Sequence, residues 1–233
     1  MKPRLFGLAV MLLSLPALAN DTASIDFDLT AEAASCTPTL SNNGLVDYGT
    51  RHAANLSVET FTQLGTRDIT LTIQCESSTG IAITARDTRA DSVIVGKDDR
   101  GETGARFQIN GGGYVSDLSR LFGLGLTSEG KPIGSYAVQI NAAGISAVDA
   151  GTPVNVEMAG AASKNGPWVK SMLLPLPANQ DYYYTFVQKG TTTPQAVMSA
   201  NIPLQISTSV ANKLGSRQEI KLDGSAVISI VYL

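Results

Sequence analysis

The chain has 233 residues, with 17 lysines and arginines against 20 aspartates and glutamates and a formal charge of −3. No basic cluster breaks this mildly acidic background, which excludes the electrostatic footprint of a nucleic-acid binder or of a protein held to an anionic membrane surface. Beyond the first twenty residues no apolar run is long enough to cross a bilayer as a helix.

The chain opens MKPRLFGLAVMLLSLPALAN. Lys2 and Arg4 precede an apolar run over residues 5–15, and Ala17-Leu18-Ala19 supplies a small-x-small cleavage pattern. This is the layout of a secretory signal peptide over residues 1–19. Its removal lowers the net charge to about −5 by simple counting. Residues 20–35 (NDTASIDFDLTAEAAS) then alternate: Ile25, Phe27, Leu29, Ala31 and Ala33 against Asp26, Asp28, Thr30 and Glu32. Period two predicts a strand with one buried face, yet no turn signal joins it to a neighbour. The remainder, residues 36–233, is expected to form one β domain.

Cys36 and Cys75 are the only cysteines. An even count in an exported chain reads as one disulfide, with two buried free thiols as the competing reading. Such a bridge would close a loop of about 40 residues and stabilise by roughly 4 kcal/mol on the chain-entropy argument. After a short strand at Cys36, residues 37–43 are turn-rich and residues 45–49 extended. Leu56, Val58 and Phe61 predict another short strand ended by Gly65. Residues 67–74 (RDITLTIQ) form a clean alternating strand into Cys75. Residues 76–80 read as a turn, and Ile81, Ile83 and Ala85 begin the opposing strand, followed by a polar run to Asp91.

The middle, about residues 92–134, reads as an elaboration of the domain. Residues 96–104 (GKDDRGETG) predict a solvent loop, residues 106–109 a strand, and residues 111–113 a flexible glycine break. Ser116 is placed to cap one helical turn up to Leu121. The FGLG run at residues 122–125 superficially resembles a phosphate loop, but the P-loop spacing and its lysine are missing, so close sheet packing is the preferred reading. Residues 135–141 are a strand with Tyr136, Val138 and Ile140 on one face, and residues 153–158 alternate again. Trp168 follows a Gly-Pro turn. Residues 181–187 (DYYYTFV) are strongly strand-like, residues 189–194 a loop, and residues 197–210 a long strand whose Pro203 suggests an edge or bulge. After a polar connection over residues 214–218 and a break at Gly224, residues 226–233 form a terminal strand. Helix is nearly absent, and short strands at frequent turn signals predict an all-β sandwich.

Catalytic chemistry finds little here. His52 is the one histidine, so no two-histidine zinc site exists, and the Gly-x-Ser-x-Gly elbow is missing. Asp87 with Asp91, and Asp98 with Asp99, are expected to face solvent. A calcium site on Asp98, Asp99 and Glu102 lacks EF-hand spacing. No cofactor, metal or enzymatic activity is expected. Trp168, Tyr182, Tyr183 and Tyr184 are the candidates for sugar stacking if the chain is instead a secreted carbohydrate-binding or tip-adhesin module. An outer-membrane barrel fits poorly with an internal disulfide and an aromatic content of 6%.

In order along the chain, the signal peptide, the alternating segment before Cys36, the early cysteine pair, the β body and the terminal strand with Tyr232 resemble a chaperone–usher pilus subunit of Gram-negative bacteria. The pieces CTPTLSNNGLVDYG, RDITLTIQC, FGLG followed by KPIGSY, and LDGSAVISIVYL are more closely similar to a family of secreted proteobacterial proteins of uncharacterised function associated with β-type fimbrial gene clusters. The resemblance implies an immunoglobulin-like, pilin-type sandwich that lacks a strand and carries a protruding N-terminal donor strand. It implies a periplasmic chaperone, an outer-membrane usher and other fimbrial subunits as partners, in a head-to-tail polymer made by donor-strand exchange, with no insertion into the membrane. Ile25, Phe27, Leu29 and Ala31 would be the donor side chains. Ala226, Ile228, Ile230 and Tyr232, or the opposite set, would border the acceptor groove and meet the chaperone. Two features depart from typical pilins: Ile220 stands where a glycine is usual, and the middle insertion has no counterpart.

Overall fold

The alternation of Ile69, Leu71 and Ile73 seeds the longest strand of the fold. The computed structural model describes residues 35–49, 56–214 and 220–233. Among them regular structure is almost wholly β, with only short 3-10 turns. Strand β2 (Thr62–Thr79) pairs antiparallel with β1 (Cys36–Leu40) on one side and with β12 (Val197–Val210) on the other. Strands β7 (Gly134–Ile140) and β6 (Phe122–Gly123) continue this sheet, and β8 (Ser146–Asp149) with β9 (Thr152–Val154) joins it along β12. The second sheet has the order β10 (Val156–Ala161), β11 (Tyr183–Gln188), β3 (Ile81–Asp87), β13 (Ala226–Tyr232). Side chains from both sheets, among them Leu71, Ile73, Ile83, Ile140, Phe186 and Ile202, share one buried core.

The strand order follows the constant-type immunoglobulin sandwich, whose sheets run A-B-E-D and C-F-G. Strands β1, β2, β12 and β7 take positions A, B, E and D, while β3 and β13 take C and F. The position G, beside F, has no counterpart among the described residues. The fold is therefore all-β with one disulfide, Cys36–Cys75, which ties the edge strand β1 to β2 at directly opposed positions.

The middle insertion covers the outer face of the first sheet at β7 and the adjoining part of β12. Its hairpin, β4 (Ala105–Phe107) and β5 (Gly113–Val115), builds a second small core in which Ala105, Phe107, Val115 and Leu121 pack with Ala137 of β7. Glutamines make the junction. The Gln205 carboxamide oxygen accepts from the Gln108 N–H (2.7 Å) and its NH2 donates to Asp68 (3.2 Å). Gln63 accepts from the Arg106 N–H (3.1 Å) and donates to the Gly104 carbonyl (2.8 Å). These side chains satisfy backbone groups that an apolar contact would leave stranded.

Several expectations need correction. Residues 37–40 extend β1 rather than turning. They pair in register with β2, and Pro38 is tolerated because β1 lies at an edge. Residues 56–61 are not a strand, and Gly65 lies inside β2 next to a bulge in its pairing with β12. Strand β2 runs on to Thr79, leaving Gly80 alone as the connection, and β3 crosses to the other sheet instead of pairing back. The helical turn is Leu118–Arg120, capped by Asp117 and not Ser116. Residues 153–158 divide at Asn155 between the two sheets. Pro203 is in a central strand. The Asn141 N–H donates to its carbonyl (2.9 Å), so the missing Pro203 N–H faces the same side, where β12 changes partner from β8 to β7.

Asp87 and Asp98 do not face solvent. Asp87, 4% exposed, accepts from the Gly123 N–H (2.7 Å) and the Arg89 N–H (2.8 Å). Asp98, 2% exposed, accepts from Tyr114 (2.7 Å) and from the Arg100 and Glu102 amides. Burial pushes the Asp98 carboxyl up, but these donors outweigh it and hold it below the ordinary carboxylate range.

Replacing Gln205→Ala removes the acceptor of the Gln108 and Ile109 amides and the donor to Asp68 and should cost about 1–3 kcal/mol in urea unfolding; an unchanged midpoint would show that the glutamine junction carries no stability. The paired change Cys36→Ser with Cys75→Ser should lower stability by about 4 kcal/mol, read in the same unfolding assay, with no loss expected if the bridge is dispensable.

Candidate functional site

Strand β13 pairs with β3 from Ala226–Asp87 to Tyr232–Ile81. Its ends are pinned by the Ser225 carbonyl, which accepts from the Thr88 N–H (3.0 Å), and by the Leu233 N–H, which donates to Gly80 (3.0 Å). In an antiparallel ladder the N–H and C=O of one residue point the same way and alternate along the strand. Odd-numbered residues of β13 thus bond to β3. The N–H and C=O groups of Ala226, Ile228, Ile230 and Tyr232 point to the other edge, where no strand pairs among the described residues.

The same four residues carry the expected groove-edge side chains, and the even-numbered set is the one that faces inward. Ile228 and Ile230 pack against the main core but are only half-buried. Ala226 is exposed, and Tyr232 is 45% exposed. The Cys36 N–H donates to the Tyr232 hydroxyl oxygen at 2.9 Å, which joins the end of β13 to the start of β1. On the β1 side, Cys36 and Leu40 are also half-buried against the core. A seam lined by half-buried apolar side chains thus runs where strand G would lie. Covering one such side chain fully is worth up to about 1.5–3 kcal/mol.

The predicted donor residues Ile25, Phe27, Leu29 and Ala31, the signal peptide and His52 lie outside the described residues. Of the proposed sugar-stacking residues, Tyr182 and Tyr184 are already engaged in the fold. Tyr184 is buried and its hydroxyl donates to the Pro175 carbonyl (2.9 Å), and burial pushes its phenol up. The Arg120 guanidinium lies over the Tyr182 ring, 4.6 Å from its centre. A Cβ on Gly160 would overlap the same tyrosine, so Tyr182 is in close contact on that side also. Tyr183 and Trp168 are half-buried.

The FGLG amides are also committed. The Gly123 N–H goes to Asp87, and the Gly125 N–H donates to the Ser92 hydroxyl oxygen (2.9 Å). A Cβ at Gly123 would overlap the Arg89 carbonyl, which bears out close packing as the reason for glycine there. Among the described residues no cluster of three or more His, Cys, Asp or Glu is placed to hold a metal, and no helix is long and apolar enough to cross a membrane. The described surface carries shallow cavities. One, of about 260 Å³, is lined by Leu45, Val46, Asp47, Arg67 and Asp68; another, of about 490 Å³, by Val154, Asn155, Gln188, Lys189 and Gln195.

Sequence reasoning missed polar groups that hold the first sheet together. Tyr48, buried with its phenol pushed up by burial, donates to the Ile206 carbonyl (2.9 Å). Nothing local in YGTRH marks it, because its partner lies 158 residues away.

Known proteins extend this description. Residues 28–137 match the family described as "Protein of unknown function (DUF1120)". The chain is 51% identical over 224 residues to "Uncharacterized protein YhcF" of Escherichia coli (strain K12), covering 94% of each chain. It is 29% identical over 246 residues to "Protein GltF" of the same organism, covering 97% of this chain and 94% of that one. No solved structure matches. With half its residues shared with YhcF across nearly the whole of both chains, the chain belongs to that protein's family.

Proposed function

We propose that the chain is a structural subunit of a surface fimbria, assembled by donor-strand exchange with the help of a periplasmic chaperone and an outer-membrane usher, and that its role is architectural and not catalytic. The observation that carries this reading is the edge of β13. It offers four residues' worth of backbone donors and acceptors, and a half-buried apolar row, to a strand that the described residues do not supply. An extended segment that adds there gains main-chain hydrogen bonds and seats alternate side chains. Residues 20–35 have the matching pattern in Ile25, Phe27, Leu29 and Ala31. A segment given to the next copy makes a head-to-tail contact that does not close, and hence a filament.

The other sheet edges are blunted in recognisable ways. β1 is five residues long and contains Pro38. β6 has two residues. β10 is covered at Gly160 by a bridge to Val169 and flanked by the Glu157–Lys170 ion pair. β13 is seven residues of AVISIVY with no formal charge. The disulfide agrees with export into an oxidising compartment. Export by the signal peptide to the periplasm, and from there to the cell surface, completes the proposed route.

Electron microscopy of cells that express the chain with its cognate chaperone and usher should show fibres, and deletion of residues 20–35 should abolish them while leaving the exported domain folded. Fibres of normal number and length from the deletion would sink the donor-strand reading.

A further inference from the structure

The edge of β13 has a second property. Its central residues read Val227-Ile228-Ser229-Ile230-Val231, a palindrome about Ser229. Two copies laid antiparallel about a two-fold axis at Ser229 oppose Ile228 with Ile230, Val227 with Val231, and Ser229 with itself. The backbone parity fits this register. Ile228 and Ile230, which become directly opposed, both point their N–H and C=O groups at the open edge, as do Ala226 and Tyr232. Opposed residues that both face the partner are the ones that exchange paired hydrogen bonds, and Ser229 falls at a non-bonded position, which the ladder requires to alternate with them.

Charge and side chains favour the same partner. No aspartate, glutamate, lysine or arginine lies on β13, so two copies meet there without opposing like charges although the whole chain is acidic. β-Branched residues face β-branched residues across the axis, a cross-strand pairing that stabilises an antiparallel ladder. The half-buried Ile228 and Ile230 of both copies come together on the inner side. We infer that the chain forms a two-fold dimer through β13, in which the two second sheets join into one continuous antiparallel sheet. The partner is a second copy of this chain at an isologous contact. The dimer occupies the edge that the proposed donor strand needs, so dimer and filament exclude one another, and a chaperone seated on β13 would suppress both aggregation and dimerisation. The dimer itself does not depend on the fimbrial reading.

A charge swap on the axis tests it. Ser229 is half-buried on the outer face of the sheet, so Ser229→Asp and Ser229→Lys each place like charges opposite one another only in the symmetric dimer. In sedimentation of the full exported chain without a chaperone, the wild type is expected as a dimer. Each variant alone should dissociate about tenfold or more readily, and an equimolar mixture of the two should restore the dimer as a heterodimer. A monomeric wild type overturns the inference, and so does a variant that dimerises undiminished or a mixture that stays monomeric. Circular dichroism melting of each variant separates loss of pairing from loss of fold, because an unfolded variant cannot be rescued by mixing. Fibre formation in cells reports separately on the donor-strand reading: fibres without a dimer leave that reading standing, and a dimer without fibres leaves this one standing.

Discussion

An unpaired row of backbone amides and carbonyls on a sheet edge is a template for a further strand, and strand β13 carries four residues whose groups point to an edge that no described strand fills. Much of the surrounding architecture is arranged about that edge. The strand cannot swing away, because its ladder with β3 and the bonds at Ser225 and Leu233 fix both ends. Nor can the opposite wall drift, because Cys36–Cys75 and the bond from Cys36 to Tyr232 hold the start of β1 in place. The seam is therefore a preformed slot, and preorganisation of this kind reduces the ordering cost of an incoming strand.

The middle insertion plays a separate part. Its β4–β5 hairpin buries the outer face of β7 and the adjoining part of β12, while the outer face of β1 and β2 stays open to solvent. Its glutamine junctions specify one arrangement of hairpin on sheet, since a slipped hairpin would leave the Gln108 and Arg106 amides without acceptors. With the other edges blunted, the uncharged strand β13 remains as the described edge best suited to β pairing.

How much of this was legible in the sequence differs by residue. The alternation in residues 67–74 and the terminal strand were readable as local periods, and the pairing of Cys36 with Cys75 from an even cysteine count in an exported chain; which face of the terminal strand turns inward was left open between the even and the odd set, and packing of Ile228 and Ile230 on the core decides it. The role of FGLG was half readable. Glycine pointed to close packing, but the groups that receive its amides, Asp87 and Ser92, lie more than thirty positions away. Asp87, Asp98, Gln63 and Gln205 were opaque for the same reason. A polar side chain on a strand or in a loop looks solvent-facing until its distant partners are known. Pro203 misled because proline excludes a central strand only where its N–H is needed, and here the neighbour changes at that very position. Trp168 and Tyr182 to Tyr184 drew attention as aromatic residues, and only tertiary packing could show that Tyr182 and Tyr184 are already engaged.

The most direct test of the central claim, that the seam beside β13 accepts a strand, is a titration of the chain lacking its first 35 residues with a synthetic peptide of residues 20–35, followed by calorimetry and thermal melting. The account predicts saturable binding and a melting temperature raised by several degrees, and no effect from a peptide in which Ile25, Phe27 and Leu29 are all replaced by aspartate. Absence of binding by the native peptide, or equal binding by both, would contradict it.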